Sequence, residues 1–507
     1  MMNIFKKKSV HMAVMAGLGA FGAVGSANAV HVNPDGTGQV LIYPYYTVRT
    51  AATSIASGSY NTYISITNTE NTAKAVKVRF KEGKNSREVL DFNLFLSAHD
   101  VWTGYIEPTT NGAILKSDDK SCTVGTIPAA GQPFSNAAYS GANADNEDAT
   151  LDRTREGYVE MILMGDIIST GAGSASLALL TAITHVNGVA PCTASVLNTA
   201  DAAGLSVAAG AAGYLTANTT GGLMGSASLV NPTTGVDYSY DAVAVNNWTA
   251  LTHGTVSTSL APGLYSGSIA ASEVFLGGGI RTATWAADAA PLTATANAKA
   301  LSAVLMHNNV MNEFVLDTGT TSGTDWVVTF PTKNLFVGTD TLTGGSRDHT
   351  ATAFFPFNEN FGLGGSCDTV TLTQYDREER TTVAAGGFSP SVTVTNDLCW
   401  EANVITFNGS SILGSTNSYN TNVTYQNGWM SLGLNHGPYV SGSDTRLTAA
   451  ASFTNGVADL TPNYNGLPVT GFMVQDFINS TIVTGAGATP GAAFGGNFNH
   501  KYSRLID

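Results

Sequence analysis

The chain has 507 residues, of which only 12% are Asp, Glu, Lys or Arg, about half the ~25% usual in soluble domains. Its net charge is −14, and an acidic surface repels a phosphate backbone, so nucleic acid is excluded as the expected partner. The length exceeds what one hydrophobic core supports and predicts about two domains.

Lys6, Lys7 and Lys8, the apolar stretch 12–25 and the small-x-small site Ala27-Asn28-Ala29 together predict a cleaved secretory signal over 1–29. The mature chain then starts at Val30, and loss of three lysines takes the net charge from −14 to −17. No later stretch reaches the ~18 uninterrupted apolar residues of a membrane helix, so an exported product that does not span the membrane is expected. The four cysteines, Cys122, Cys192, Cys367 and Cys399, form no C-x-x-C motif, which disfavours zinc and redox chemistry. In an oxidising compartment they predict two structural disulfides. Cys122 with Cys192 and Cys367 with Cys399 are the favoured pairs, since the partners lie in the same half of the chain.

Between 39 and 106 the sequence reads as four or five short strands. The first, 40–48, contains Pro44, which lacks an N–H and marks an edge strand or a bent one. Val76, Val78 and Phe80 alternate with Lys77, Arg79 and Lys81, and period two with one charged face predicts a half-buried antiparallel strand. Leu90, Phe92, Leu94 and Leu96 repeat the alternation. The pattern fades over 111–152, an expected long loop. It returns at 157–168 and is followed by a Gly- and Ala-rich stretch, 171–213, with short helices expected at 177–183 and 198–203. Residues 223–245 read as a hairpin around Asn231-Pro232-Thr233-Thr234-Gly235.

A helix is expected at 296–306, after a domain boundary near Pro291. Beyond it strands are expected at 314–317, 326–330, 369–375, 391–395, 402–407, 429–434, 448–453 and 471–474. The fold class is therefore mainly β: antiparallel, immunoglobulin-like β-sandwich domains with long loops and a few short helices. The N-terminal sandwich with its Gly/Ala-rich insertions is expected over 30–290, and a C-terminal β-rich domain over 291–507.

Candidate site residues are few. Asp145, Glu147, Asp148 and Asp152 bring hard oxygen ligands into one stretch, as calcium requires, but the stretch lacks the glycine and distal glutamate of an EF-hand; an acidic solvated loop is the plainer reading. Calcium is the sole cofactor candidate. Glu160 shares a strand face with Tyr158, Ile162 and Met164, so it is a candidate buried carboxylate. A buried acid of this kind serves either as a catalytic acid or in a structural ion pair, for which Arg153 and Arg155 are nearest in sequence. The histidines are scattered singly, and no nucleophile elbow, dinucleotide fingerprint or phosphate loop is present.

The segments Gly157-Tyr158-Val159-Glu160, Trp326 through Lys333, Gly466 through Phe472, and His500-Lys501-Tyr502-Ser503-Arg504 together resemble a family of exported, β-rich proteobacterial proteins, some labelled cell-surface protein. The resemblance runs through most of the mature chain; the 171–213 stretch looks peculiar to this member. It implies a surface or periplasmic setting and transfers no catalytic residue. The expected function is structural or adhesive, binding a surface glycan, a protein or a further copy of the chain. The alternative is a secreted polysaccharide hydrolase using paired carboxylates such as Glu160.

Overall fold

The computed structural model describes residues 29–51, 58–125, 127–169, 174–206, 213–287, 295–337, 355–357, 361–379, 396–435, 446–459, 463–484 and 487–506. The expected signal, apart from Ala29, the strand at 391–395 and the domain boundary at 290–291 lie outside them. The chain is mainly β, and its named strands pair antiparallel except Ala402–Phe407 with Ser418–Thr421. Three α-helices occur among the described residues, Ser174–Ile183, Ala194–Ala202 and Ala296–Leu305. The last begins where the Thr295 hydroxyl accepts the Ala298 N–H at 3.0 Å, an N-cap. It is buried from Asn297 to Leu305 apart from Lys299.

An eight-stranded and a six-stranded sheet form the N-terminal sandwich. The Val40–Thr47, Lys74–Glu82, Glu88–Leu96 and Glu156–Ile167 strands belong to the first; Asn61–Asn68, Val101–Pro108, Leu223–Asn231 and Val236–Asp241 belong to the second. Their alternate residues meet in one core, with Val76, Val78, Phe80, Val159 and Met161 on one side and Ile64, Ile66, Trp102 and Leu229 on the other. The expected hairpin forms with its second arm ending at Asp241, pairing Asn231 with Val236, and Val243–Asn246 crosses to the eight-stranded sheet instead of extending it. Short strands inside the expected long loop, Ala113–Lys116, Cys122–Val124 and Gln132–Pro133, extend both sheets. They are too brief to show periodicity, and existing sheet edges recruit them.

Pro44 lies in a central strand, not at an edge. The neighbouring Val243–Asn246 strand stops pairing at Ile42, and the ladder to Glu156–Ile167 slips a register between Gly157 and Val159. A bulge therefore takes up the missing N–H, while the Pro44 carbonyl accepts the Thr329 hydroxyl at 2.6 Å.

The charged face of the Lys74–Glu82 strand is not solvated. All nine of its residues are buried, because the outer face of the eight-stranded sheet is itself covered. The two helices of the 171–213 stretch pack Leu179, Ile183 and Leu197 onto Phe95, Met164 and Ile167, and the Cys122–Cys192 disulfide fastens that cover. Further along, Lys77 donates to the Ser257 carbonyl at 2.7 Å and pairs with Asp91.

Two five-stranded sheets dominate the second half. One carries Asn309–Val315, Asp368–Asp376 and Asn427–Gly433; the other carries Ser322–Thr329, Ala402–Phe407, Thr470–Thr484 and Gly487–Asn499. Cys367 is bonded to Cys399. The Ser322–Thr329 strand is buried on both faces: Trp326 and Val328 enter one core cluster and Val327 enters the core of the N-terminal sandwich. Both clusters draw residues from either side of position 290.

Candidate functional site

Strand register decides what Glu160 meets. Glu160 stands opposite Arg79 in the ladder, and Arg79 stands opposite Asp91 on the next strand, so period-two alternation gathers charges on one face. Arg79 donates to Glu160 at 3.0 Å and holds Glu88 with two bonds of 3.0 and 2.8 Å. Lys81 lies 3.9 Å from Glu160 and donates to the Ser86 carbonyl at 3.2 Å. Burial, then Arg79, lower the Lys81 ammonium from its ordinary value. Glu160 is therefore a buried carboxylate whose partner is Arg79; Arg153 and Arg155, nearest in sequence, are engaged elsewhere. Local spacing cannot reveal a partner set by strand pairing 81 residues away.

The network continues into the second half. Tyr158 donates to Ser86 at 2.7 Å and reaches the Pro331 carbonyl at 3.4 Å. Lys333 pairs with Asp368 at 3.0 Å and sits over the rings of Phe330 and Phe357. Burial pushes the nearby Glu401 carboxyl up to about 8, against the pull of Lys333.

The four candidate calcium ligands are not brought together. Asp145 takes two bonds of 2.8 Å from Arg153, which also holds Glu82 at 3.0 Å. Glu147 binds Lys84 at 2.8 Å and accepts the Gly364 N–H at 2.5 Å. Asp148 caps Thr150. Asp152 faces Arg49 at 2.6 Å and Arg155 at 3.0 Å. Each carboxylate ties the loop to a different cation or backbone group, and among the described residues no group of three or more His, Cys, Asp or Glu is arranged for a metal. Glu156 is similarly engaged. Burial raises its carboxyl, but Arg49 at 3.0 Å, Ser415, the Thr416 N–H and Tyr45 outweigh that and hold it below the ordinary range.

Two features escaped sequence reasoning. Asp325 and Asp476 are diagonal neighbours on adjacent strands, since Gly323 pairs with Asp476 and Asp325 with Val474. Burial pushes Asp476 up to about 6, and burial, reinforced by Asp476, raises Asp325 well above its ordinary value. The second is an open cavity of about 470 Å³ at the seam between the halves, continuous in its lining with one of about 410 Å³ through His307, Tyr502 and Arg504. The alternation of His500, Tyr502 and Arg504 was the available signal; His307, 193 residues before His500, gave none.

Comparison with protein-family models, curated proteins and solved structures finds no match to this chain.

Proposed function

We propose that this chain is an exported, non-enzymatic structural protein that assembles with further copies of itself by strand addition at the Gly487–Asn499 edge. The observation that carries this reading is the hairpin formed by Thr470–Thr484 and Gly487–Asn499, registered from Phe472 opposite Asn499 to Thr484 opposite Gly487. Among the described residues the sheet ends at its second strand. Residues 478–499 contain no Lys, Arg, Asp or Glu, although soluble proteins usually guard long edges with charge, proline or bulges. Pro490 is one guard, and at the end of the strand the Asn312 side chain donates to the Phe498 and Asn499 carbonyls at 3.3 and 3.4 Å. Phe494 and Phe498 are 61% and 50% exposed on that strand, and an unpaired strand edge with apolar side chains is the substrate of β-augmentation.

Export is supported by the 1–29 pattern and by two disulfides, which persist in oxidising compartments. No helix among the described residues is long and apolar enough to cross a membrane. A hydrolase of the glycosidase type needs two carboxylates flanking an accessible bond, whereas Glu160 and Glu156 are each 1% exposed and tied to arginines.

Light scattering on the purified mature chain over a range of concentrations tests the assembly. Multimers that dissociate on introducing Phe494→Lys with Phe498→Lys are the expected result. A monomer at every concentration, or multimers indifferent to both lysines, would remove the edge from consideration. Cell fractionation tests export independently.

A further inference from the structure

The seam cavities hold a cation, Arg504, that no carboxylate pairs with among the described residues. Arg504 donates to three carbonyls at the end of the Ala296–Leu305 helix, those of Ala303 at 3.2 Å, Val304 at 2.5 Å and Met306 at 2.5 Å. Those carbonyls carry the negative end of the helix dipole and compensate the guanidinium in part. A guanidinium has five N–H donors, so two remain beyond these three bonds. No carboxylate pairs with Arg504 among the described residues, and the groups acting on its charge are burial, which lowers it to about 10, and the phenols of Tyr464 and Tyr502.

The surroundings of Arg504 are built, not incidental. The His307 ring stacks on Tyr502 with centroids 4.2 Å apart, and its Nδ1 is buried without a hydrogen-bond partner. Burial, then Arg504, hold His307 well below its ordinary value, so it adds no second cation and Arg504 is the charge that faces a ligand. The larger cavity is walled by apolar groups, among them Pro44, Leu305, Val469 and Phe472, together with polar ones such as Thr470 and Asn499, and its lining contains one carboxylate, Asp241, which is exposed. Its volume of about 470 Å³ falls within the ~300–1,000 Å³ of small-molecule sites, which combine apolar walls with a few fixed polar groups.

We propose that this seam groove binds a small carboxylate with an apolar body, the carboxylate meeting the free N–H groups of Arg504 and the body lying along Pro44, Val469 and Phe472. The ligand class follows from charge complementarity: a guanidinium with spare donors recognises a planar anion, and the apolar part of the lining suits an apolar body. The site meets the Gly487–Asn499 strand at Asn499 alone and does not depend on the assembly reading.

The test is calorimetric titration of the full mature chain with octanoate and with benzoate, each against its neutral amide. At least one acid should bind at a single site about tenfold or more tighter than its amide, the advantage of a charge-assisted over a neutral contact. Arg504→Lys, which keeps the charge but loses the planar fork, should weaken the acid and leave the amide unchanged. If that variant fails to fold because the helix end is uncapped, the acid-against-amide ratio on the unaltered chain decides. Equal binding of acid and amide, or no binding of either acid at millimolar concentration, overturns the proposal.

Discussion

Replacing Glu160 by glutamine removes one negative charge from a buried group of two cations and two anions. Glu160 is 1% exposed and its nearest charges are Arg79 at 3.0 Å and Lys81 at 3.9 Å. After substitution Glu88 still holds Arg79 with two bonds, but Lys81 loses its closest anion. Breaking a buried pair costs about 3–5 kcal/mol because the remaining charge is uncompensated; with Glu88 in place the lower end, about 3 kcal/mol, is expected. In a cooperative unit of 150–250 residues that corresponds to a melting temperature lower by about 6–12 °C. Thermal denaturation followed by circular dichroism reads it directly. Arg79→Met should cost more, since it strands Glu88 and Glu160 together, and the Arg79–Glu160 double-mutant cycle should show a coupling of about 1–3 kcal/mol. A Glu160→Gln protein melting within a degree of the parent would refute the structural assignment.

Three further outcomes are expected. Asp476 titrates at about 6 when folded against an ordinary 3.8, so the folded state keeps a proton that the unfolded chain releases, and stability falls as pH rises between those values and stays reduced above them. Asp476→Asn should relieve a penalty of about 3 kcal/mol at pH 8 and change little near pH 4, measured by urea denaturation at both; a variant less stable at pH 8 contradicts this. Replacing Cys122 and Cys192 together by alanine opens a span of 70 residues and should cost about 4 kcal/mol in the loop-entropy description, loosening first the two helices over the eight-stranded sheet, which hydrogen exchange would resolve. N-terminal sequencing of the exported protein should begin at Val30, and a sequence starting at Met1 would exclude cleavage.

Local chemistry was legible in the sequence. Alternation in 76–80 and 90–96 predicts strands because successive side chains face opposite sides, and strands stand there at Lys74–Glu82 and Glu88–Leu96. The Ala-rich run after Thr295 predicts a helix, and the Ala296–Leu305 helix begins at that cap. Proximity in the chain also suggested both disulfide pairs. What alternation could not say is whether the second face of a strand meets water or protein. Lys77, Arg79 and Lys81 look like a solvated face, yet a Gly- and Ala-rich insertion, residues near 257 and the distant Pro331 and Glu401 lie over that region.

Tertiary structure alone decided the partners of the charges and the place of the cavity. Glu160 finds Arg79 through strand register, Asp325 meets Asp476 across another ladder, and Arg504 reaches the end of a helix some 200 residues earlier in the chain. Composition and periodicity fix which residues prefer burial and which local conformation they favour. Pairing register and the packing of one half against the other are cooperative properties of the whole chain, and they determine which buried cation is neutralised by the protein and which is left facing a groove.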